Sequence, residues 1–324
     1  MGKLIYSLGI IITGLIFGQI IQALTNTRLS RHSVPINKVI RLAQQITLLI
    51  LNPIINFGAF WIIGLKDTRL ISVPVLGVCA LILGGIIASI YSRLFKHNNF
   101  QKGAMFTSGS FTNMGTFGGL VCFTFFGESS YAFVSMYKLL EEVAYFMIGY
   151  PIAKFYSVAK TGQREKSPLI RIITDPYVII YFLSIAIGVG LNLSGIPRPN
   201  AYKSINDVLI PLSTLMLVTS VGFRMQVNAI RAYLRECYAV ASIKFLISPI
   251  VITTAAWLLG LGEPYNGLVL KVILIESCMP PAFNSLIPPQ IYGLDVDLSN
   301  SCWLFCTGAL VVVLPVLYLL QSLF

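Results

Sequence analysis

Polar residues punctuate this chain at wide intervals, and the stretches between them are almost uninterruptedly apolar. Ten such runs stand out: Leu4–Leu24, Val39–Ile63, Val73–Leu94, Ala104–Phe126, Tyr131–Phe155, Tyr177–Leu193, Val208–Phe223, Tyr233–Leu259, Gly267–Tyr292 and Ser301–Leu323. A helix needs about 20 apolar residues to cross the hydrocarbon of a bilayer. Membrane-spanning strands would alternate apolar and polar residues in units of roughly ten, and no such alternation is visible. The pattern predicts an all-α polytopic membrane protein with ten transmembrane helices.

The most polar interval, Ser157 to Asp175, lies almost at the midpoint, with five runs before it and five after. An odd number of spans per half makes the halves insert with opposite orientation, the inverted-repeat arrangement of many secondary transporters. The expected organisation is a first repeat over 1–155, a cytoplasmic linker over 156–175 and a second repeat over 176–324. Interruptions match in register. Asn52-Pro53 in the second run corresponds to Pro211 in the seventh, and the fourth and ninth runs are both broken.

In the fourth run, AMFTSGSFTNMGTFGGLVCFTFFG concentrates Gly, Ser, Thr and Asn between Thr107 and Gly119. Interior helical glycine costs about 1 kcal/mol, and asparagine is also a poor helix former. In the ninth run, SCMPPAFNSLIPP carries Pro280 and Pro281, which remove two backbone donors and disfavour helix at the residues before them. Unsatisfied backbone groups in lipid cost several kcal/mol each, so such breaks persist only where protein or a water-filled cavity supplies partners. Small residues also let membrane helices pack closely, which is the other reading of either break taken alone. A matched pair points instead to a ligand site at mid-membrane. Half-helix N-termini suit a carboxylate, and half-helix C-termini suit a cation. Asn113 and Asn284 would orient the anion, with Ser110 and Thr112 as supporting donors and Met114, Gly115, Pro281, Ala282 and Phe283 supplying the surrounding backbone.

Composition agrees with this class: 56% hydrophobic and 11% charged residues, against about 25% charged in soluble domains. The net charge of +11 does not mark a nucleic-acid partner. Fifteen Lys and Arg fall on the odd-numbered interhelical loops and flanking helix ends: Arg28, Arg31, Lys38, Arg41, Arg93, Lys96, Lys102, Lys154, Lys160, Arg164, Lys166, Arg171, Arg224, Arg231 and Arg235. Five lie opposite: Lys3, Lys66, Arg69, Arg198 and Lys203. The positive-inside rule then places both termini outside the cell membrane. The six cysteines lie in or against apolar runs, where thiols pack as small hydrophobes. The first run is long enough to span and lacks a small-residue cleavage pattern, so no signal peptide is expected. No cofactor is implied, and no nucleotide loop, metal cluster or catalytic pair at depth indicates an enzyme; His32 and His97 both fall in loops.

Ionisable residues inside spans are functional candidates. Glu276 lies four residues before the double proline. With Ser110 or Ser277 it would hold Na⁺ or carry a proton; alternatively it partners Lys271, although a spacing of five pairs poorly on a helix. Lys138, Glu141 and Glu142 fall at i, i+3 and i+4, the spacing for neutralisation within one helix, with proton relay through Lys138 and Glu141 as the other role. Lys244 and Lys271 are expected near an interface, reached by snorkelling. Tyr137 and Tyr145 read as belt or packing residues.

Asn113-Met-Gly-Thr-Phe-Gly118 with Phe126-Gly127 resembles the first signature of the auxin efflux carrier family. Met279-Pro-Pro-Ala-Phe-Asn284, Tyr292-Gly293-Leu-Asp295 and Leu314-Pro315 resemble the second. Gly195-Ile-Pro-Arg-Pro199 and Val208-Leu-Ile-Pro211 with Gly222 resemble the stretch between. Ile275-Glu276-Ser-Cys-Met279 is also similar to the ninth-helix sodium-site stretch of the bile-acid symporters, which are related in fold. The resemblance implies two inverted five-helix repeats, crossed discontinuous helices four and nine, and elevator-like movement of a transport domain. Leu120 departs from the proline many relatives carry there, the Asn-Pro pair of the plant carriers is missing from the first break, and so is their long hydrophilic loop. A compact carrier of a small organic anion, with Na⁺ or H⁺ as coupling ion, is the expected function. A sodium-coupled bile-acid-type symporter and a lipid- or sterol-binding sensor are the alternatives. Membrane lipid and a second copy in a homodimer are the other expected partners.

Overall fold

The computed structural model describes residues 2–26, 36–64, 67–157, 174–225 and 230–321. Most of the expected linker at 156–175 falls outside the described residues, as do Arg28, Arg31, Lys66, Lys160, Arg164, Lys166 and Arg171. The elements are α1 Gly2–Asn26, α2 Ile36–Ile62, α3 Thr68–Leu94, α4 Asn99–Ser110, α5 Gly119–Phe126, α6 Glu128–Tyr137, α7 Glu141–Ala144, α8 Tyr150–Phe155, α9 Pro176–Leu193, α10 Ala201–Arg224, α11 Ile230–Leu258, α12 Leu268–Ser277, α13 Ile287–Tyr292 and α14 Val296–Leu320. Seven of these, α1, α2, α3, α9, α10, α11 and α14, are long and apolar enough to cross a membrane. No strand occurs among the described residues. The chain is a polytopic helical membrane protein. The fourth, fifth and ninth expected spans are each interrupted.

Three interruptions have one cause. Wide π turns at Thr47–Leu51, Tyr145–Gly149 and Ile243–Ile247 each end two residues before a proline: Pro53, Pro151 and Pro249. Proline lacks the N–H and its ring collides with the carbonyl four residues back. Widening the turn to i→i−5 bonding, as in Asn52 N to Thr47 O, absorbs the defect without unwinding the span. Pro211, matched to Pro53 from sequence, instead sits inside the continuous α10.

The fifth span was expected to be continuous through Lys138. It turns at Lys138–Leu140, so Lys138 closes α6 and Glu141 opens α7. The three residues expected on one helix are therefore divided by a turn. A cation at a helix C-terminus and carboxylates in a first turn both complement the helix dipole, and the Tyr137 carbonyl lies against Gly77 of α3, where a side chain would collide.

Two compact units emerge, each drawing on both halves of the sequence. The first comprises 1–65, 119–132 and 174–225. In it α1 runs against α10 through Gly14 and Gly18, a small-xxx-small spacing that lets backbones approach. A Cβ on Gly18 would fall 2.7 Å from the Gly222 carbonyl carbon. A buried ion pair sits in the same unit. Both Arg198 guanidinium nitrogens Nη1 and Nη2 donate to the Glu128 carboxylate, Asn206 Nδ2 adds a bond at 2.6 Å, and Nη1 also reaches Gly58 O at 3.1 Å.

The second unit comprises 66–118, 133–173 and 226–324. Gly84 of α3 and Gly109 of α4 meet backbone to backbone, and Cys237, Cys302 and Cys306 pack with Ala104, Met105, Val240 and Leu298 in its core. Every residue proposed from sequence for the site belongs to this unit.

Candidate functional site

Helix α4 ends at Ser110 because Phe111 turns extended, at φ −70° and ψ 128°. Helix α12 ends at Ser277, and Ala282 is likewise extended, at φ −66° and ψ 154°. The two unwound stretches pair antiparallel at Thr112 and Pro281. Asn113 N–H donates to Pro280 O at 2.9 Å, and Ala282 N–H donates to Phe111 O at 3.1 Å. Thr112 and Pro281 thus occupy the non-hydrogen-bonded position between two ladder bonds. Proline's missing donor costs the pairing nothing there. Four backbone groups that the breaks release are satisfied at once, at a depth where each would otherwise cost several kcal/mol.

This pairing changes how the backbone serves a ligand. The N–H groups of Asn113 and Ala282, expected to face an anion, are engaged with each other's strands. Asn113 also organises the second half-helix: its Oδ1 accepts from Phe117 N–H at 3.3 Å and its carbonyl from Gly118 N–H at 3.2 Å. Of the backbone donors named from sequence, Gly115 opens the turn Met114–Gly118, where the first N–H groups of a helix lack partners within it. Asn284 is half-buried in the short turn Phe283–Leu286. Among the described residues, no hydrogen bond joins it to Asn113.

The hydroxyls are committed as well. Ser110 Oγ donates to Leu81 O at 2.9 Å, Thr112 Oγ1 to Ser110 O at 3.2 Å and Ser277 Oγ to Leu274 O at 3.1 Å. Broken helices leave carbonyls exposed, and the nearest hydroxyls close on them. Each of these hydroxyls gives its hydrogen to a carbonyl and keeps its oxygen lone pairs.

Charges gather around the Met114–Gly118 turn. Glu276 is fully buried, with its carboxylate against Gly118: a Cβ there would lie 2.6 Å from Oε1 and 2.7 Å from Cδ. At Gly115 a Cβ would lie 2.7 Å from Lys138 Nζ. One turn of broken helix is therefore flanked by an ammonium and a carboxylate, which only its two glycines allow to approach so closely. Glu141, the other expected relay residue, is half-buried and accepts from the Tyr145 hydroxyl at 2.7 Å.

Sequence reasoning missed two residues. Lys244, expected to snorkel, is 1% exposed. Its Nζ donates to Ser110 O at 3.1 Å and Thr112 Oγ1 at 2.6 Å. Tyr145, read as packing, stacks on Phe111 with ring centroids 4.0 Å apart, and its hydroxyl, 2.7 Å from Glu141 Oε1 and 3.3 Å from Thr112 O, has one hydrogen for the two acceptors. The available signal for Lys244 was its position well inside an apolar run; for Tyr145 it was the i+4 spacing from Glu141. A cavity of about 60 Å³ lined by Leu81, Phe106, Ser110, Tyr145 and Ile152, among others, adjoins the break. Its volume is that of about two waters.

No family model matches this sequence. Over 241 residues the chain is 25% identical to an uncharacterized transporter of Methanocaldococcus jannaschii, covering 74% of this chain and 75% of that one. Over 252 residues it is 23% identical to an uncharacterized transporter of Methanothermobacter thermautotrophicus, covering 78% of each.

Proposed function

We propose that this chain is a secondary transporter that moves a small organic anion across the cell membrane. The observation that carries the reading is the buried pairing of two unwound segments, Phe111–Asn113 and Pro280–Ala282, ringed by Lys138, Lys244 and Glu276. Discontinuous helices near mid-membrane are where secondary transporters hold substrate and coupling ion. The named likeness to two archaeal transporters supports the class, and the auxin efflux carrier signatures support the anion. A carboxylate would bind at the opening turn of the second half-helix, Met114–Gly118, within reach of Asn113 and Asn284. Lys138 would supply the countercharge.

Elevator-type alternating access through two inverted repeats, both termini outside and coupling to Na⁺ or H⁺ through Glu276 complete the proposal. Flux of mono- and dicarboxylates in proteoliposomes tests it. Asn113→Ala and Asn284→Ala should each abolish saturable uptake while leaving expression intact. Retained transport in both removes the proposed site. Repeating the flux with and without a sodium or proton gradient assigns the coupling ion.

A further inference from the structure

Lys244 is a second functional position at the crossover, and it bears on how the proposed carrier is driven. The C-terminal end of an interrupted helix presents unpaired carbonyls carrying roughly half a negative charge. In secondary transporters such ends are where coupling cations are held. In this chain the last carbonyl of α4, Ser110 O, already faces a cation: Lys244 Nζ lies 3.1 Å away, with Thr112 Oγ1 completing its contact at 2.6 Å. The Thr112 hydroxyl hydrogen points to Ser110 O, which leaves its oxygen lone pair for the ammonium. Burial of 99% of the residue shuts out the hydrated ions that would compete. A side chain from α11 thus supplies in covalent form what a metal ion would supply from solution.

From this geometry we infer that the Lys244 ammonium is the resident cation of the crossover and stands in the place of a coupling Na⁺ at the end of α4. The inference deepens the transporter reading and rests on it for its meaning, but its test needs no substrate. The described oxygens around Nζ have no room for a metal ion while the lysine is there. Removing the amine without refilling its volume opens a slot lined by Ser110 O and Thr112 Oγ1. Sodium should then enter.

The experiment compares thermal unfolding of the purified full chain in NaCl and in choline chloride at equal ionic strength. With the separate cation candidate removed by Glu276→Gln, protein that retains Lys244 is expected to unfold at the same temperature in both salts. Lys244→Ala should unfold several degrees lower in choline and recover part of that loss in NaCl with a saturable dependence, whereas Lys244→Arg should show no preference between the salts. Two results overturn the inference: saturable stabilisation by Na⁺ over choline of a Glu276→Gln protein that retains Lys244, or a Lys244→Ala protein indifferent to which salt is present. If Lys244→Ala yields no folded protein in either salt, Lys244→Ser, which also vacates the volume of the amine but keeps a donor, is compared in the same way. Sodium-specific recovery there supports the inference, and its absence overturns it. Because no substrate is present, failure here leaves the flux assays to judge the carrier reading separately.

Discussion

Two glycines in one turn make opposite predictions. In Gly118→Ala the new Cβ would meet Glu276 Oε1 at 2.6 Å and Cδ at 2.7 Å, against an ordinary contact of 3.4 Å or more. The shortfall at Oε1 is therefore 3.4 − 2.6 = 0.8 Å. Glu276 is fully buried, so the whole carboxyl has to move in a packed interior, where over-packing costs about 1–3 kcal/mol. In Gly115→Ala the only close atom is Lys138 Nζ, at 2.7 Å, with Cδ and Cε at 3.5 and 3.6 Å. The end of a flexible chain can yield by a bond rotation. Gly115→Ala should accordingly be near neutral, helped by the better helix propensity of alanine. Thermal unfolding in detergent reads the difference as a loss of several degrees for Gly118→Ala. A double-mutant cycle then isolates the cause. In a Glu276→Ala background the clash has no partner, and Gly118→Ala should become neutral or stabilising, giving an interaction of about 1–3 kcal/mol. The reasoning is refuted if Gly118→Ala is no worse than Gly115→Ala, or equally harmful with and without the Glu276 carboxylate.

Three further outcomes are expected. Ala282→Pro deletes the N–H that bonds Phe111 O and should lower stability by about 1–3 kcal/mol for the orphaned acceptor. Pro281→Ala, at the non-hydrogen-bonded position, should keep the fold in the same unfolding assay. Glu128→Ala strands a buried Arg198 guanidinium and should cost about 3–5 kcal/mol, whereas Glu128→Gln with Arg198→Met should cost less than Glu128→Ala alone, because no charge is left uncompensated. Arg69 donates hydrogen bonds to Asp67, which hold its carboxyl below the ordinary 3.8. A depressed folded value means that the Asp67 contribution is complete above pH 3.8 and is lost as pH falls below it. The stability difference between wild type and Asp67→Asn should therefore be constant from neutral pH to about pH 5 and shrink toward pH 3 in an acid titration of the unfolding midpoint.

The breaks were legible because their causes are local. Pro280-Pro281 cannot continue a helix, and the Gly, Ser and Asn run around Asn113 makes a poor one. Their pairing was foreseen only as a meeting of helix ends. That Asn113 N–H would choose Pro280 O depends on register across 167 positions, 280 − 113, which no local pattern encodes. The same gap explains Lys244. A lysine in an apolar run can snorkel or turn inward, and its direction depends on whether an acceptor waits on a neighbouring helix. The acceptor here, Ser110 O, exists only because α4 stops where it does. Lys138 lies in different local structure from the one expected. Its spacing from Glu141 and Glu142 reads correctly on a continuous helix, but the chain turns between them. The buried Glu128–Arg198 pair has no local signal, because both residues lie between the apolar runs and their partnership joins positions 70 apart.

The two units hold buried charge in different settings. In the first unit the Glu128 carboxylate receives three donors, Arg198 Nη1 and Nη2 and Asn206 Nδ2. Each element thereby fixes the others. In the second unit the unwound backbone is satisfied by its own pairing through Asn113 N–H and Ala282 N–H. A break that served packing alone would be complete at that point, with apolar side chains around it. Instead Lys244 and Glu276 are buried beside it, with Lys138 at the next glycine. Withdrawing a charge from water costs several kcal/mol even after relaxation, and replacing buried ions by well-packed apolar residues is often stabilising. Lys244 closes the Ser110 carbonyl that the end of α4 releases, and Glu276 and Lys138 flank the turn that follows. In the proposed reading, fixed charges of both signs, held against half-helix ends before any solute arrives, would supply a preorganised field for a charged ligand.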